Sequence, residues 1–334
     1  MQTRRVGASD LETSVVAFGS WEFGGTYGPI DEADATRAVH RAIDLGVTMF
    51  DSARIYGLRE GQDRWDGAGL AERILGRALK GRRDEIQIVT KGGVGTRRDH
   101  VSHRQGRYAE VIKDVELSLK DLGTDHIDLY LIHWPDRDVP MAETMSAMID
   151  LRRAGKARYL GVSNFPSDLL REAAAHAPIV ANQVGYNLFD RRWEREMFAT
   201  AEELGIGVMA YGPLAHGLLT GTFTAETEFD GSDWRRSRVF FGQPLLTPEH
   251  LAANLRVVAE LRQLAEAKGL SLAQLALAWA LGGPQVSCAI VGARVPSEIE
   301  EAVAAADVEF TAEELEQIDR VMLGAAGQID QVPQ

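Results

Sequence analysis

The chain has 334 residues, 45% of them hydrophobic, with a formal net charge of −13 and a single cysteine. That size fits one large barrel or two ordinary domains, and with no linker or low-complexity stretch a single domain over residues 1–334 is expected. The charge argues against nucleic acid or anionic membrane as partners, Cys288 alone excludes an internal disulfide, and no apolar run reaches the roughly 18 residues of a membrane span. The first residues, Met1-Gln2-Thr3-Arg4-Arg5, lack the apolar run of a signal peptide, so cytoplasmic residence is expected.

In chain order, Arg4-Arg5-Val6 and Leu11-Glu12-Thr13 around Gly7-Ala8-Ser9-Asp10 read as a small hairpin. A unit then recurs: a short apolar run, a polar turn and an amphipathic helix. The strand candidates are residues 15–20, 47–51, 86–91, 127–133, 158–163, 179–184, 207–211 and 286–292. They are mostly apolar throughout, as parallel strands buried on both faces should be. Eight βα units predict an α/β fold, a closed (β/α)8 TIM barrel whose floor the hairpin plugs.

Helix signals fall between the strands. Asp31 is placed to cap a helix with Ala35, Ala38, Val39, Ala42 and Ile43 on one apolar stripe and Gly46 as its stop. Pro140 and Thr247-Pro248 mark helix starts, Ser167 is expected to cap residues 168–175, and Asp190 to open a helix ending at Gly205. Ser271 with Gln274 and Thr311 with Glu314 read as capping boxes. Residues 57–69 and 212–246 break the rhythm, and long loops of this kind usually carry function. Cys288 lies in an apolar strand and reads as a buried, inert thiol.

Asp51, Tyr56, Lys91 and His133 stand at or just past the C-terminal ends of three strand candidates. A parallel barrel gathers those ends on one face and builds its site there. Lysine is disfavoured at the end of an apolar strand unless it has a partner, and Asp51 is placed to be one. A lysinium beside Tyr56 is expected to lower the phenol pKa, so that Tyr56 exchanges a proton with a substrate oxygen that His133 orients. No paired-histidine spacing supports a metal site, and no G-x-S-x-G supports a serine nucleophile. A Schiff-base lyase or isomerase would need Lys91 free of Asp51.

The chain resembles the aldo-keto reductase superfamily, in the bacterial branch related to the potassium-channel β-subunits. The resemblance rests on residues 17–25 (AFGSWEFGG), 50–57 (FDSARIYG), Thr90-Lys91, 125–134 (DHIDLYLIHW), 160–165 (LGVSNF), Asn182-Gln183, 211–214 (YGPL) and 290–294 (IVGAR). It implies an NAD(P)(H)-dependent oxidoreductase that interconverts aldehydes or ketones and alcohols, with Tyr56 as proton donor. It implies a nicotinamide cofactor held by Ser20, Trp21, Ser163, Asn164, Gln183, Tyr211, Gly212, Pro213, Leu214, Gly217, Gly292, Ala293, Arg294, Glu298 and Glu301. Arg294 is the expected seat of an adenosine 2′-phosphate, which favours NADP(H) over NAD(H). Glu298, Glu301 and Ala302 depart from the family's Gln and Glu-Asn, and Glu298 would repel that phosphate. Trp21, Phe23, Trp65 and Trp134 are expected to line the substrate pocket, with Trp65 in an insertion at residues 58–68. The resemblance also admits a second role, a cofactor-sensing regulatory subunit.

Overall fold

The computed structural model describes residues 1–57, 67–96, 102–231 and 233–332. An antiparallel hairpin, β1 (Thr3–Arg5) and β2 (Glu12–Ser14), precedes the barrel. The barrel strands are β3 (Val16–Gly19), β4 (Met49–Asp51), β5 (Gln87–Gly92), β8 (Ile127–Ile132), β9 (Ala157–Ser163), β10 (Ile179–Gly185), β11 (Gly207–Tyr211) and β12 (Val286–Gly292). They pair in parallel in that order, and β12 closes onto β3. A second hairpin, β6 (Val94–Thr96) with β7 (Ser102–Arg104), rises from the loop after β5.

The helices are α1 (Glu32–Asp44), α2 (Leu70–Ala78), α3 (Tyr108–Leu122), α4 (Met141–Arg153), α5 (Ser167–His176), α6 (Met197–Leu204), α7 (Pro248–Ala267), α8 (Leu272–Leu281), α9 (Pro296–Val303) and α10 (Ala312–Met322). The expected (β/α)8 TIM barrel is the fold observed. Among the described residues, no helix is long and apolar enough to cross a membrane.

Local chemistry sets the helix ends. The Asp31 carboxylate accepts hydrogen bonds from the Ala33 and Asp34 amides at 2.8 and 2.9 Å, and the five apolar residues of the α1 stripe are buried. Both expected capping boxes form, at Ser271 and at Thr311. Two expectations do not hold. Ser167 is the first residue of α5 rather than its cap, and its hydroxyl has no hydrogen-bond partner. Asp190 does not open α6. It closes a tight turn with Asn187 and pairs with the Arg192 guanidinium at 2.7 Å, and the helix begins seven residues on, at Met197.

Side chains alternate along the strands, inward and outward. Ala17, Met49, Val89, Leu129, Leu131, Ala181, Met209, Cys288 and Ile290 fill the barrel's interior, with Val6 and Leu11 of the first hairpin at its floor. The larger core lies between strands and helices and includes Phe18, Phe50, Ile88, Tyr130 and Val162.

A buried charge cluster fixes the turn after β4, which carries Tyr56. The Arg54 guanidinium meets the Glu72 carboxylate at 3.1 Å and the Asp121 carboxylate at 2.5 Å, and Glu72 also accepts from the Thr90 hydroxyl at 2.7 Å. The Arg54 amide donates to the Lys91 carbonyl at 2.9 Å. Removing one partner of a buried pair strands the other. Arg54→Ala is therefore expected to lower unfolding free energy by about 3–5 kcal/mol in urea titration. Glu72→Gln added to it should recover part of the loss, because it removes the stranded carboxylate.

Candidate active site

Alternation brings the polar residues to one layer. Asp51 lies two residues beyond inward-facing Met49, Lys91 beyond Val89, His133 beyond Leu131, Gln183 beyond Ala181 and Tyr211 beyond Met209. All of these residues then meet at the C-terminal mouth of the barrel.

Lys91 and Asp51 are buried, and Lys91 Nζ lies 2.6 Å from Asp51 Oδ1. The ammonium also donates to the Ser52 carbonyl at 2.8 Å and to the Tyr56 hydroxyl at 3.2 Å. The second Asp51 oxygen accepts from the Gln183 amide at 2.7 Å. Burial pushes the Asp51 carboxyl up and the Lys91 ammonium down, each opposed by attraction to the other.

The expected fall in the Tyr56 pKa is not what the structure supports. Burial raises the phenol well above its ordinary value, and the Asp51 carboxylate adds to the rise. The Lys91 charge is already engaged by Asp51, so it does not outweigh desolvation. Tyr56 is thus a protonated phenol at neutral pH. His133 packs edge-on to Tyr56 with ring centroids 5.8 Å apart. Burial, with Lys91 and Arg104 nearby, drops its pKa well below the usual range, so the imidazole is neutral. The group can hand a proton to an oxygen seated beside it.

These residues open on a cavity of about 700 Å³. At one end it is lined by Asp51, Tyr56, His133, Trp134, Asn164, Gln183 and Tyr211, and at the other by Gly292, Arg294, Glu298, Glu301 and Ala302. Trp21, Gly212, Pro213, Leu214 and Gly217 line it between. Asn164 takes a left-handed backbone (φ 62°), a conformation asparagine tolerates. Its amide donates to the His133 carbonyl at 3.1 Å and accepts from the Tyr211 hydroxyl at 2.9 Å.

Four of the expected contact residues do not line the cavity. Phe23 is fully buried against Phe18, ring centroids 5.8 Å apart, and does not line the cavity. Its place in the four-residue turn after β3, Trp21–Gly24, points it into the core, while its neighbours Trp21 and Glu22 face the opening. Ser20, Ser163 and Ala293 are buried behind the cavity wall, with the Ser163 hydroxyl donating to the Gln183 carbonyl at 2.8 Å. Trp65 lies outside the described residues.

Several lining residues carried no sequence expectation: Glu22, Tyr27, Arg104, His216, Arg235 and Phe241. Phe241, Trp234 and His216 belong to the long 212–246 segment. That segment reaches across the mouth, where Phe241 sits 6.3 Å from Trp21, 6.4 Å from Trp134 and 5.6 Å from Tyr211, centroid to centroid. The Trp234 amide donates to the Thr26 carbonyl at 3.0 Å. Glu22 was within reach of sequence reasoning, as a carboxylate between two aromatics just past a barrel strand.

At the far end, the Arg294 amide donates to a Glu298 carboxylate oxygen at 2.6 Å, and the Arg294 guanidinium donates to the Pro29 carbonyl at 2.5 Å. Glu22 presses against Gly292, which leaves no room there for a β-carbon, and one of its oxygens is buried without a partner.

The barrel is that of an oxidoreductase, since residues 15–322 match the Aldo/keto reductase family. The chain belongs to that family, whose members use NAD(P)H. It is 36% identical to "Aldo-keto reductase YhdN" of Bacillus subtilis (strain 168) over 304 residues, 90% of this chain and 87% of that one. It is 33% identical to the L-glyceraldehyde 3-phosphate reductase of Escherichia coli (strain K12), over 96% of this chain and 92% of that one. Among solved structures, the glycerol dehydrogenase AKR11B4 from Gluconobacter oxydans superimposes with a TM-score of 0.84 at 31% identity, covering 98% of this chain and 96% of that one.

Burial pushes the Glu22 carboxyl up to about 7, with the Glu298 carboxylate adding to the rise and Arg294 and Arg235 opposing it. Its charge therefore appears as pH rises through neutrality. Carboxyl 13C NMR of glutamate-labelled protein should show a resonance titrating near pH 7 that Glu22→Gln removes; a resonance set unchanged by the substitution would contradict this.

Proposed function

We propose that the whole chain works as one barrel domain that interconverts a small aldehyde or ketone and its alcohol. The observation that carries this is the protonated Tyr56 phenol, 3.2 Å from a lysine that is itself held by Asp51, at the wall of a cavity shared with His133. Tyr56 delivers its proton to the carbonyl oxygen as that oxygen becomes negative. The positive Lys91 stabilises the phenolate left behind. Neutral His133 donates a hydrogen bond to the same oxygen and fixes its position. Trp21, Trp134 and Phe241 keep water from the reacting carbon. The relatives' names, an L-glyceraldehyde 3-phosphate reductase and a glycerol dehydrogenase, support a small substrate.

The cavity suits a nicotinamide dinucleotide. The Tyr211 ring offers a flat face, and Asn164 and Gln183 offer amides. Gly212 and Gly217 allow close backbone approach, and α9 begins at the far end. Such a cofactor, when bound, supplies or accepts the hydride.

Two residues pull its choice in opposite directions. Arg294 favours an adenosine 2′-phosphate and hence NADP(H). Glu298 already occupies the Arg294 amide and repels a second anion there. We read the site as taking the NADP(H) 2′-phosphate only when Glu298 leaves that amide, so NAD(H) competes on at least equal terms.

Tyr56→Phe should reduce kcat for carbonyl reduction by roughly 10²–10⁴-fold, with dinucleotide affinity by tryptophan quenching within about twofold of wild type. Near-full turnover in that variant would overturn the mechanism. Glu298→Gln should shift the ratio of NADPH to NADH dissociation constants at least about tenfold towards NADPH, the scale of one charged contact. An unmoved ratio would remove Glu298 from cofactor choice.

A further inference from the structure

The cavity has a third arginine, at the substrate end. Arg104 is the last residue of β7, paired across its hairpin with Val94, which also lines the cavity. Its guanidinium lies over the Trp134 ring, 4.4 Å from the centroid. Stacking of this kind holds the fork flat and leaves its edge donors free. The other two arginines lining the cavity have protein partners: Arg235 pairs with Asp233 at 2.6 Å, and Arg294 is bound to Pro29. Among the described residues, Arg104 makes no hydrogen bond or ion pair. Among the described residues, the carboxylate whose charge is felt at Arg104 is Asp136, and its two oxygens are engaged by the Gly106 amide at 2.9 Å and the Asp138 amide at 3.0 Å.

A half-buried guanidinium without a partner is costly, and it is retained where a ligand completes it. Its charge is felt at His133, so it belongs to the same chamber as the reacting oxygen. In a chain of net charge −13, the overall field repels anions, and a local cation is what would admit one.

We propose that Arg104 is the anion anchor of the substrate site, and that the substrate is a small aldehyde or ketone carrying a carboxylate or phosphate. This rests on the carbonyl-reductase reading above. The guanidinium edge takes the anionic group through charge-assisted hydrogen bonds, while the carbonyl lies against Tyr56 and His133. Trp134 sets the direction of the fork.

The test compares glyceraldehyde 3-phosphate and succinic semialdehyde with neutral glyceraldehyde and butanal. Wild-type kcat/KM should favour the anionic member of each pair. Arg104→Gln should cut that preference by roughly 10–100-fold, through KM, and Arg104→Lys should keep part of it. The pair that loses more identifies phosphate or carboxylate as the better ligand. A second measurement needs no turnover: inorganic phosphate and succinate should each perturb tryptophan fluorescence through Trp134, and Arg104→Gln should abolish the response. Equal preference in wild type and Arg104→Gln, or a fall in anionic and neutral substrates by the same factor, overturns the proposal and leaves the reductase reading standing. Anion binding lost in Arg104→Gln, in a wild-type protein that reduces none of the four, keeps the anchor and overturns the reductase reading.

Discussion

A lysine ammonium and an aspartate carboxylate, both removed from water, meet at 2.6 Å inside the mouth of the barrel. Taking two charges out of water costs several kcal/mol per ion, so neither is tolerable alone. The pair persists because further groups complete it: the Ser52 carbonyl and Tyr56 hydroxyl on the lysine side, the Gln183 amide on the aspartate side. Gln183 comes from β10, which lies across the barrel from β4 and β5. The pair thus demands that distant strands close in the observed register. Tyr56 is held by the same demand, since its turn is bound to the Lys91 carbonyl and locked by the Arg54 cluster.

The fold was legible because the strands are short, apolar and rich in branched residues, and because helix stops and caps separate them. The four strand-end residues were legible for a related reason: a charged or titratable side chain closing an apolar strand breaks a pattern that is otherwise unbroken. Strand ends are where sequence position and spatial position agree, within one residue of the β-ladder. The resemblance of the motifs then carried the amides and Tyr211, which also sit on strand ends.

What was hidden lies off the strands. Phe23 and Glu22 are adjacent, and the tight turn decides which of them faces the cavity; no periodicity applies to a turn of that length. Arg104 depends on a hairpin that bends back over Trp134, and Phe241 on a path through the 212–246 segment that takes a left-handed backbone at Phe241 (φ 48°). Such placements come from tertiary packing. The Asp190 helix failed because a side chain paired with Arg192 instead of capping the next turn. The Tyr56 pKa failed because a neighbour's charge was counted without the burial that accompanies it.

Cys288 sits in the innermost layer of the barrel, directly below Ile290 and fully buried, and burial holds its thiol in the protonated form. It is the chain's sole sulfhydryl. A thiol reagent can reach it only when the strands part. The rate at which the intact protein is labelled is therefore a clock for barrel opening, free of interference from any second cysteine. The molecule carries its own gauge of how often the closed sheet comes apart, and ligands that bind at the mouth should slow that clock in proportion to how firmly they hold the strands together.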